Sequence, residues 1–166
     1  MTRTSSLSAL LMLLLMAAVF VLLSGRSLPP VVASHFAVSG EANGFMPRRI
    51  YLGLMLALTV GVPLLLVCVF GAVRFINPRF INLPHRAYWL APERAAATFA
   101  YLQSQSISFV ALLTVFHCFV HWLAVRANAV QPPHLSTSLF VAGLVVFLVA
   151  LAVWMRTFVV HFRRRP

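Results

Sequence analysis

Charged residues are scarce in this sequence of 166 residues, and carboxylates are almost absent. Only 9% of the residues are charged while 61% are hydrophobic, and the only acids are Glu41 and Glu93. Soluble domains do not have this composition, so the sequence predicts a membrane protein. The lack of a carboxylate pair excludes acid–base hydrolysis of the glycosidase type, and the lack of an intramembrane carboxylate argues against proton-coupled transport. No phosphate-binding glycine loop or serine, histidine and acid set stands out, so no enzyme is predicted.

Lysine and cysteine are also rare. All 13 basic residues are arginines, and the formal net charge is +11. These arginines cluster at the ends of apolar runs, where they anchor to anionic lipid headgroups, so the expected partner is the bilayer and not nucleic acid. Cys68 and Cys118 are expected at depths that differ by roughly 15 Å, too far apart for a disulfide.

Four apolar runs reach the roughly 20 residues that a membrane-spanning helix needs. They cover about residues 7–23, 50–73, 104–126 and 138–160. The predicted fold class is therefore an all-α integral membrane protein, a single domain over residues 1–166, with an outer loop and second helix at 28–73 and a cytoplasmic loop at 74–103. The first run is long for a signal peptide and lacks a good cleavage site, so we expect it to be retained.

The third helix is predicted to extend beyond the membrane. Pro92 suits the first turn of a helix, and Glu93 behind it is favourable to the helix dipole. If the helix is unbroken from residue 92, it projects into the cytoplasm. The alternative is an interfacial helix that turns before Ser104.

Orientation follows from counting arginines over short loops. Nine lie at the amino terminus, in the 74–103 loop and in the tail: Arg3, Arg74, Arg79, Arg86, Arg94, Arg156, Arg163, Arg164 and Arg165. Four lie on the opposite side: Arg26, Arg48, Arg49 and Arg126. The count predicts a multi-pass protein of the bacterial inner membrane with both termini in the cytoplasm.

The first outer loop is rich in turn signals. We expect residues 31–38 to form a short strand or to lie along the interface, and Ser39-Gly40 and Asn43-Gly44 to form turns. Pro47 suits an early position in the second helix. Pro63 predicts a kink in the middle of that helix, tolerated where neighbouring groups satisfy the freed carbonyl.

The same loop carries a family motif. The segments Leu28-Pro29-Pro30, His35-Phe36 and Gly40-Glu41-Ala42-Asn43-Gly44, followed by a helix, resemble the domain-of-unknown-function 1648 family of bacterial membrane proteins. The match covers roughly residues 28–73. Asn82-Leu83-Pro84 and the segment 88–94 also resemble short stand-alone members of this family.

That family is similar to the amino-terminal region of immunity proteins, which protect producing cells from a secreted sporulation-delaying toxin. Some members of the larger group resemble signal-transducing receptors. The resemblance implies a small immunity- or receptor-like recognition or accessory protein. Its outward face, with His35, Phe36, Glu41 and Asn43, would meet a ligand, a secreted peptide or a membrane protein.

The third helix holds two histidines inside its apolar run. His117 and His121 are four residues apart and share one helix face. Topology places His35 and His134 at the same outer rim, so the four imidazoles are a candidate zinc or copper site. The alternatives are that each imidazole hydrogen-bonds a serine, a backbone carbonyl or a headgroup, or that the pair senses pH.

The inner loop offers a second surface. Trp89, Glu93 and Arg94 are predicted to contact a cytoplasmic partner. Beside the recognition hypothesis, the sequence leaves open an outer-face metal-binding protein and a structural subunit of a larger membrane complex, including an oligomer of this chain.

Overall fold

The computed structural model describes residues 3–163, with side chains from Ser6 onward. Four helical segments are long and apolar enough to cross a membrane, which confirms the predicted class: Ser6–Ser27, Arg48–Phe75, Pro92–Asn128 and Thr137–Arg163. The labelled elements are α1 (Arg3–Ser24), β1 (Val31–Phe36), β2 (Ala42–Pro47), α2 (Arg48–Leu56), α3 (Val62–Ala72), α4 (Arg86–Trp89), α5 (Pro92–Asn128) and α6 (Thr137–Arg163). Of the arginines used to predict orientation, Arg164, Arg165 and the side chain of Arg3 lie outside the described residues.

The central contact of the bundle is a seam between α1 and α5. The buried residues that form it recur at spacings of three, four or seven positions, as expected where two helices pack knobs into holes. They are Leu10, Leu14, Ala17 and Val21 on α1, and Val110, Thr114, His121, Ala124 and Asn128 on α5. Leu10 and Leu14 pack with Val110 at one end of the seam, while Val21 and Ala124 share a cluster at the other, so the two helices run in the same direction.

The second membrane-spanning segment is not a regular α-helix. Between α2 and α3 lies a π-helical turn, Ala57–Gly61, in which the backbone N–H of Val62 donates to the carbonyl of Ala57. Pro63 follows shortly after, so the helix departs from regular α geometry beside the proline for which a kink was predicted. Buried residues occur every four positions across it, at Tyr51, Met55, Thr59 and Pro63. In a regular α-helix, residues four positions apart are offset by about 40° around the helix axis. The wider π-turn reduces this offset, so the four residues stay on one face.

The outer loop folds into a β-hairpin, a feature that the helical pattern does not reveal. β1 and β2 pair antiparallel, and the register shifts on either side of His35, which opposes Gly44. A Cβ on Gly44 would lie 2.9 Å from the Cβ of His35, so glycine is needed there. The prediction of a turn at Asn43-Gly44 was therefore wrong, because both residues belong to β2. Pro47 ends β2, and the helix begins at Arg48.

One buried side chain attaches the hairpin to the bundle. The Asn128 Oδ1 atom accepts a hydrogen bond of 2.8 Å from the N–H of Ala33, and its Nδ2 atom donates to the Ala33 carbonyl at 2.9 Å. Nδ2 also donates to the carbonyl of Ala124 on its own helix, at 2.9 Å. The amide thus pairs with β1 as a neighbouring strand would, and its place on α5 sets where the hairpin lies.

The loop between α5 and α6 completes the outer layer. Its residue Leu135 donates from N–H to the Gly40 carbonyl at 2.8 Å. The backbones of His134 and Glu41 form an isolated antiparallel β-bridge. The Thr137 hydroxyl donates to the Val38 carbonyl at 3.1 Å. The hairpin and residues 129–136 together form a layer over the bundle, which we call the outer cap.

At the opposite end, the inner loop is tied to α6. The Trp89 indole donates to the Phe162 carbonyl at 3.2 Å, and the Thr98 hydroxyl donates to the Trp89 carbonyl at 2.7 Å. The His161 ring stacks between Trp89 and Tyr101, with centroids 5.0 Å and 3.7 Å away. Trp89 therefore joins the inner loop, α5 and α6.

Replacing Asn128 by alanine should loosen the hairpin while the bundle stays folded. The change leaves the N–H and the carbonyl of Ala33 without hydrogen-bond partners. Each loss should lower the stability of the attached hairpin by about 1–3 kcal/mol. Amide hydrogen exchange across β1 and β2 should accelerate by at least about tenfold, since 1.4 kcal/mol is a factor of ten. The control is Asn43→Ala, which removes an exposed amide from β2. Equal exchange rates in the two variants would refute the role assigned to Asn128.

Candidate functional site

Polar residues follow the seam face of α5 from the inner end to the outer end. Five of the six buried polar residues in the described chain lie on this helix: Thr98, Ser106, Thr114, His121 and Asn128. Inside a bilayer such groups must find partners within the protein, because lipid offers none. Their pairing therefore decides which segments α5 holds.

His121 is fully buried and uses both ring nitrogens. Its Nε2 atom lies 2.9 Å from the Ser24 hydroxyl at the end of α1, and its Nδ1 atom lies 3.0 Å from the Tyr51 hydroxyl on α2. The Ser24 hydroxyl itself donates to the Phe20 carbonyl at 2.6 Å. Since its only proton is used there, Ser24 accepts from Nε2. In a neutral imidazole Nδ1 is then the acceptor, and Tyr51 donates to it.

Aromatic contacts hold the same ring in place. Tyr51 stacks beside the imidazole with centroids 5.7 Å apart and an interplanar angle of 25°, and Phe20 meets it edge-on at 5.7 Å. His121 therefore joins three membrane-spanning segments through hydrogen bonds and ring contacts. This arrangement corresponds to the serine-bonded alternative from the sequence.

The predicted four-histidine metal set does not come together. Among residues 3–163, no group of three or more His, Cys, Asp or Glu side chains is placed to hold one metal ion. The lone pair of His121 that a metal would need is taken by Tyr51. His117 faces the backbone of Leu58 in the π-turn, whereas His35 and His134 lie in the outer cap.

The residues predicted for the outer face separate into two groups. Glu41 and Asn43 are exposed, and Glu41 accepts a hydrogen bond of 3.4 Å from Ser39. His35 and Phe36 instead border a cavity between the hairpin and the outer ends of α5 and α6. The structure therefore brings His35 and Phe36 together at one site and leaves the other two on the surface of the cap.

This outer cavity has a volume of about 460 Å³. Most of its walls are apolar side chains of the hairpin and helices, including Phe36, Leu123 and Phe140. A few polar groups also border it, from Ser34, His35 and Thr137. The Ser34 hydroxyl lies 3.1 Å from His35 Nδ1, so these two side chains form one polar edge. Volume and lining match those of sites that bind small, largely apolar molecules.

The predicted cytoplasmic contacts also divide. Trp89 is used in packing against α6, whereas Glu93 and Arg94 are exposed and form an ion pair of 3.6 Å. The guanidinium of Arg94 lies 4.0 Å above the Tyr88 ring. A cytoplasmic partner at Glu93 and Arg94 stays a prediction.

Sequence reasoning missed three residues that organise this end of the molecule: Ser24, Tyr51 and Asn128. A signal for two of them was present. Ser24 and Asn128 continue the three-and-four spacing of the seam on α1 and α5, so both could be placed on buried faces. Tyr51 had no such signal, because its position depends on the π-turn.

Comparison of the chain with protein-family models, curated proteins and solved structures gave no match. The family resemblance drawn from the motif at residues 28–44 therefore stays a prediction. What can be stated of this chain is its class, a multi-pass membrane protein with four spanning helices.

Removing either partner of the Tyr51–His121 hydrogen bond should destabilise the bundle, and the two effects should be coupled. Hydrogen bonds between membrane helices contribute about 0.6 kcal/mol on average and up to about 1.7 kcal/mol. A double-mutant cycle of Tyr51→Phe and His121→Phe, measured by unfolding in detergent, should give a coupling energy in that range. The matched control pairs Tyr88→Phe, in the inner loop, with His121→Phe and should give none. Equal coupling in both cycles would rule out the bond.

Proposed function

We propose that this chain is a small recognition protein of the bacterial inner membrane that binds the apolar chain of an amphiphilic ligand in the outer cavity. The observation that carries the proposal is the cavity of about 460 Å³ beneath the hairpin. An immunity- or receptor-like role, which the motif resemblance implies, requires such an outward-facing ligand site.

One wall of the cavity belongs to a membrane-spanning helix, and Val141 in that wall is 49% exposed. We infer that the cavity opens toward the outer leaflet on this side, which favours an acyl chain over a water-soluble molecule. The polar edge of Ser34 and His35 would then meet the ligand's headgroup.

The arginine count predicts which side of the membrane the outer cap faces. With nine arginines on the side of the termini and four on the side of the hairpin, the outer cap faces away from the cytoplasm. A membrane lipid and a secreted amphiphilic toxin both present an apolar chain and a polar head on that side. The recognised chemistry is therefore shared by the two sources.

Filling the cavity should abolish ligand binding. Val141→Trp introduces bulk into the wall, while Val145→Trp makes the same change one turn away on a residue that is 52% exposed and outside the cavity. We expect native mass spectrometry of detergent-released protein to show one retained amphiphile for the wild type and for Val145→Trp. Val141→Trp should lose it, with binding at least about tenfold weaker.

The mass of the retained molecule distinguishes a membrane lipid from a secreted agent. Equal retention by all three proteins, or no retention by any of them, would contradict the proposal.

A second candidate function, an accessory subunit of a larger membrane complex, is favoured by α6. Within the described residues, the only buried residue of this helix is Phe162 at its inner end. The rest of α6 is half-buried or exposed, and its exposed residues include Val149 at 58% and Val153 at 58%. A helix of this kind has a face free for a second chain.

A photoreactive residue at position 149 should then crosslink to a protein of defined mass in intact membranes. The control position is Leu15 on α1, which is 65% exposed. A discrete protein adduct from position 149 alone supports the subunit function. Lipid adducts alone from both positions would exclude a stable partner on α6.

A further inference from the structure

Three buried polar atoms near the middle of the seam have no hydrogen-bond partner among the described residues. They are Oγ1 of Thr59, Oγ1 of Thr114 and Nδ1 of His117. Both threonines are completely buried, at 0% exposure. Thr114 and His117 are three residues apart on α5 and share one face. At membrane depth, polar atoms without partners are unfavourable, so each needs an explanation.

The π-turn, which packs against α5, also frees one backbone carbonyl. Because the N–H of Val62 donates to Ala57, the next donor in the same pattern would be Pro63, which has no N–H. The Leu58 carbonyl is thus left without a helical partner. The His117 ring faces the backbone of this same residue, and Thr59 follows it directly.

The two threonines also differ from other hydroxyls in the bundle. Ser24, Ser106 and Thr157 each donate to a carbonyl three or four residues earlier in their own helix. That local bond is the usual solution for a hydroxyl in a membrane helix. Neither Thr59 nor Thr114 makes it, so their hydroxyls are left to bond something between the helices.

The available groups fit a neutral ligand. Two hydroxyls can donate and accept, and the Nδ1 atom of His117 adds a third partner. A divalent metal cation is disfavoured, because its sites in proteins usually include carboxylates and the only two acids, Glu41 and Glu93, lie in the hairpin turn and at the inner start of α5. Water, by contrast, typically makes about three hydrogen bonds at a buried polar site.

We propose that a resident water molecule binds between the π-turn and α5, bridging Thr59, Thr114 and His117. This water joins the second spanning segment to α5 below the His121 contacts. It explains why two buried threonines, Thr59 within the π-turn and Thr114 on α5, occur in a largely apolar layer. The site is independent of any ligand in the outer cavity.

The sign of the stability change on removing one hydroxyl tests the proposal. Threonine to valine keeps the side-chain shape and deletes the polar atom. In a dry site, Thr59→Val and Thr114→Val would each raise the melting temperature, because an unpaired hydroxyl disappears. With a bridging water, each should lower it by about 2–4 °C, since the water loses a partner. A rise in both variants overturns the proposal.

Two controls separate a local effect from general damage. Thr59→Ser keeps the hydroxyl and should retain the infrared O–H band of the bound water. Thr157→Val, on an exposed part of α6, should leave both the band and the melting temperature nearly unchanged.

Direct detection completes the test. The bound water should give an infrared O–H band that shifts in H₂¹⁸O in the wild type and is absent from the Thr59→Val/Thr114→Val double variant. A band that persists in the double variant, or no band in the wild type, would contradict the site. Melting temperatures should be equal in sodium chloride and choline chloride, and a sodium-specific rise would assign the site to a cation instead.

Discussion

The fold depends on hydrogen-bonding the polar groups that are buried between the helices of the seam. His121 is the clearest case, because both of its ring nitrogens are paired where no bulk water is available, with Ser24 on one side and Tyr51 on the other. These two partners belong to different spanning segments. Satisfying one imidazole therefore fixes how α1, α2 and α5 lie against each other near the hairpin.

The outer cap follows from the same helix face. Asn128 lies seven residues after His121, two turns along α5, and its amide pairs with both backbone groups of Ala33. The hairpin is thereby held over the ends of α5 and α6, and the turn at Gly40 binds the 129–136 loop. Because Gly40 has a φ of +94° and a Cβ there would collide with Leu135 and His134, the cap closes at a residue that only glycine fits well. The outer cavity lies between this layer and the outer ends of α5 and α6.

Much of this architecture could be predicted from the sequence, since apolar runs of membrane length allow few alternatives. The four spans were predicted, and Pro92 with Glu93 correctly marked the start of the long α5. The hairpin register could not be predicted, because it depends on the bulge at His35 and on the absence of a Cβ at Gly44. The partners of His121 come from distant parts of the chain. Spacing along α5 could not say which side chains meet the imidazole.

The central claim is that His121 is a neutral, doubly hydrogen-bonded imidazole that joins three helices. Solid-state NMR on protein labelled with ¹³C and ¹⁵N at histidine, tyrosine and serine, in lipid bilayers, tests it directly. The account predicts a His121 signal of the Nε2–H tautomer, with through-space contacts to the Tyr51 ring and to the Ser24 side chain. A Nδ1–H tautomer, a metal-shifted signal or the absence of those two contacts would contradict it.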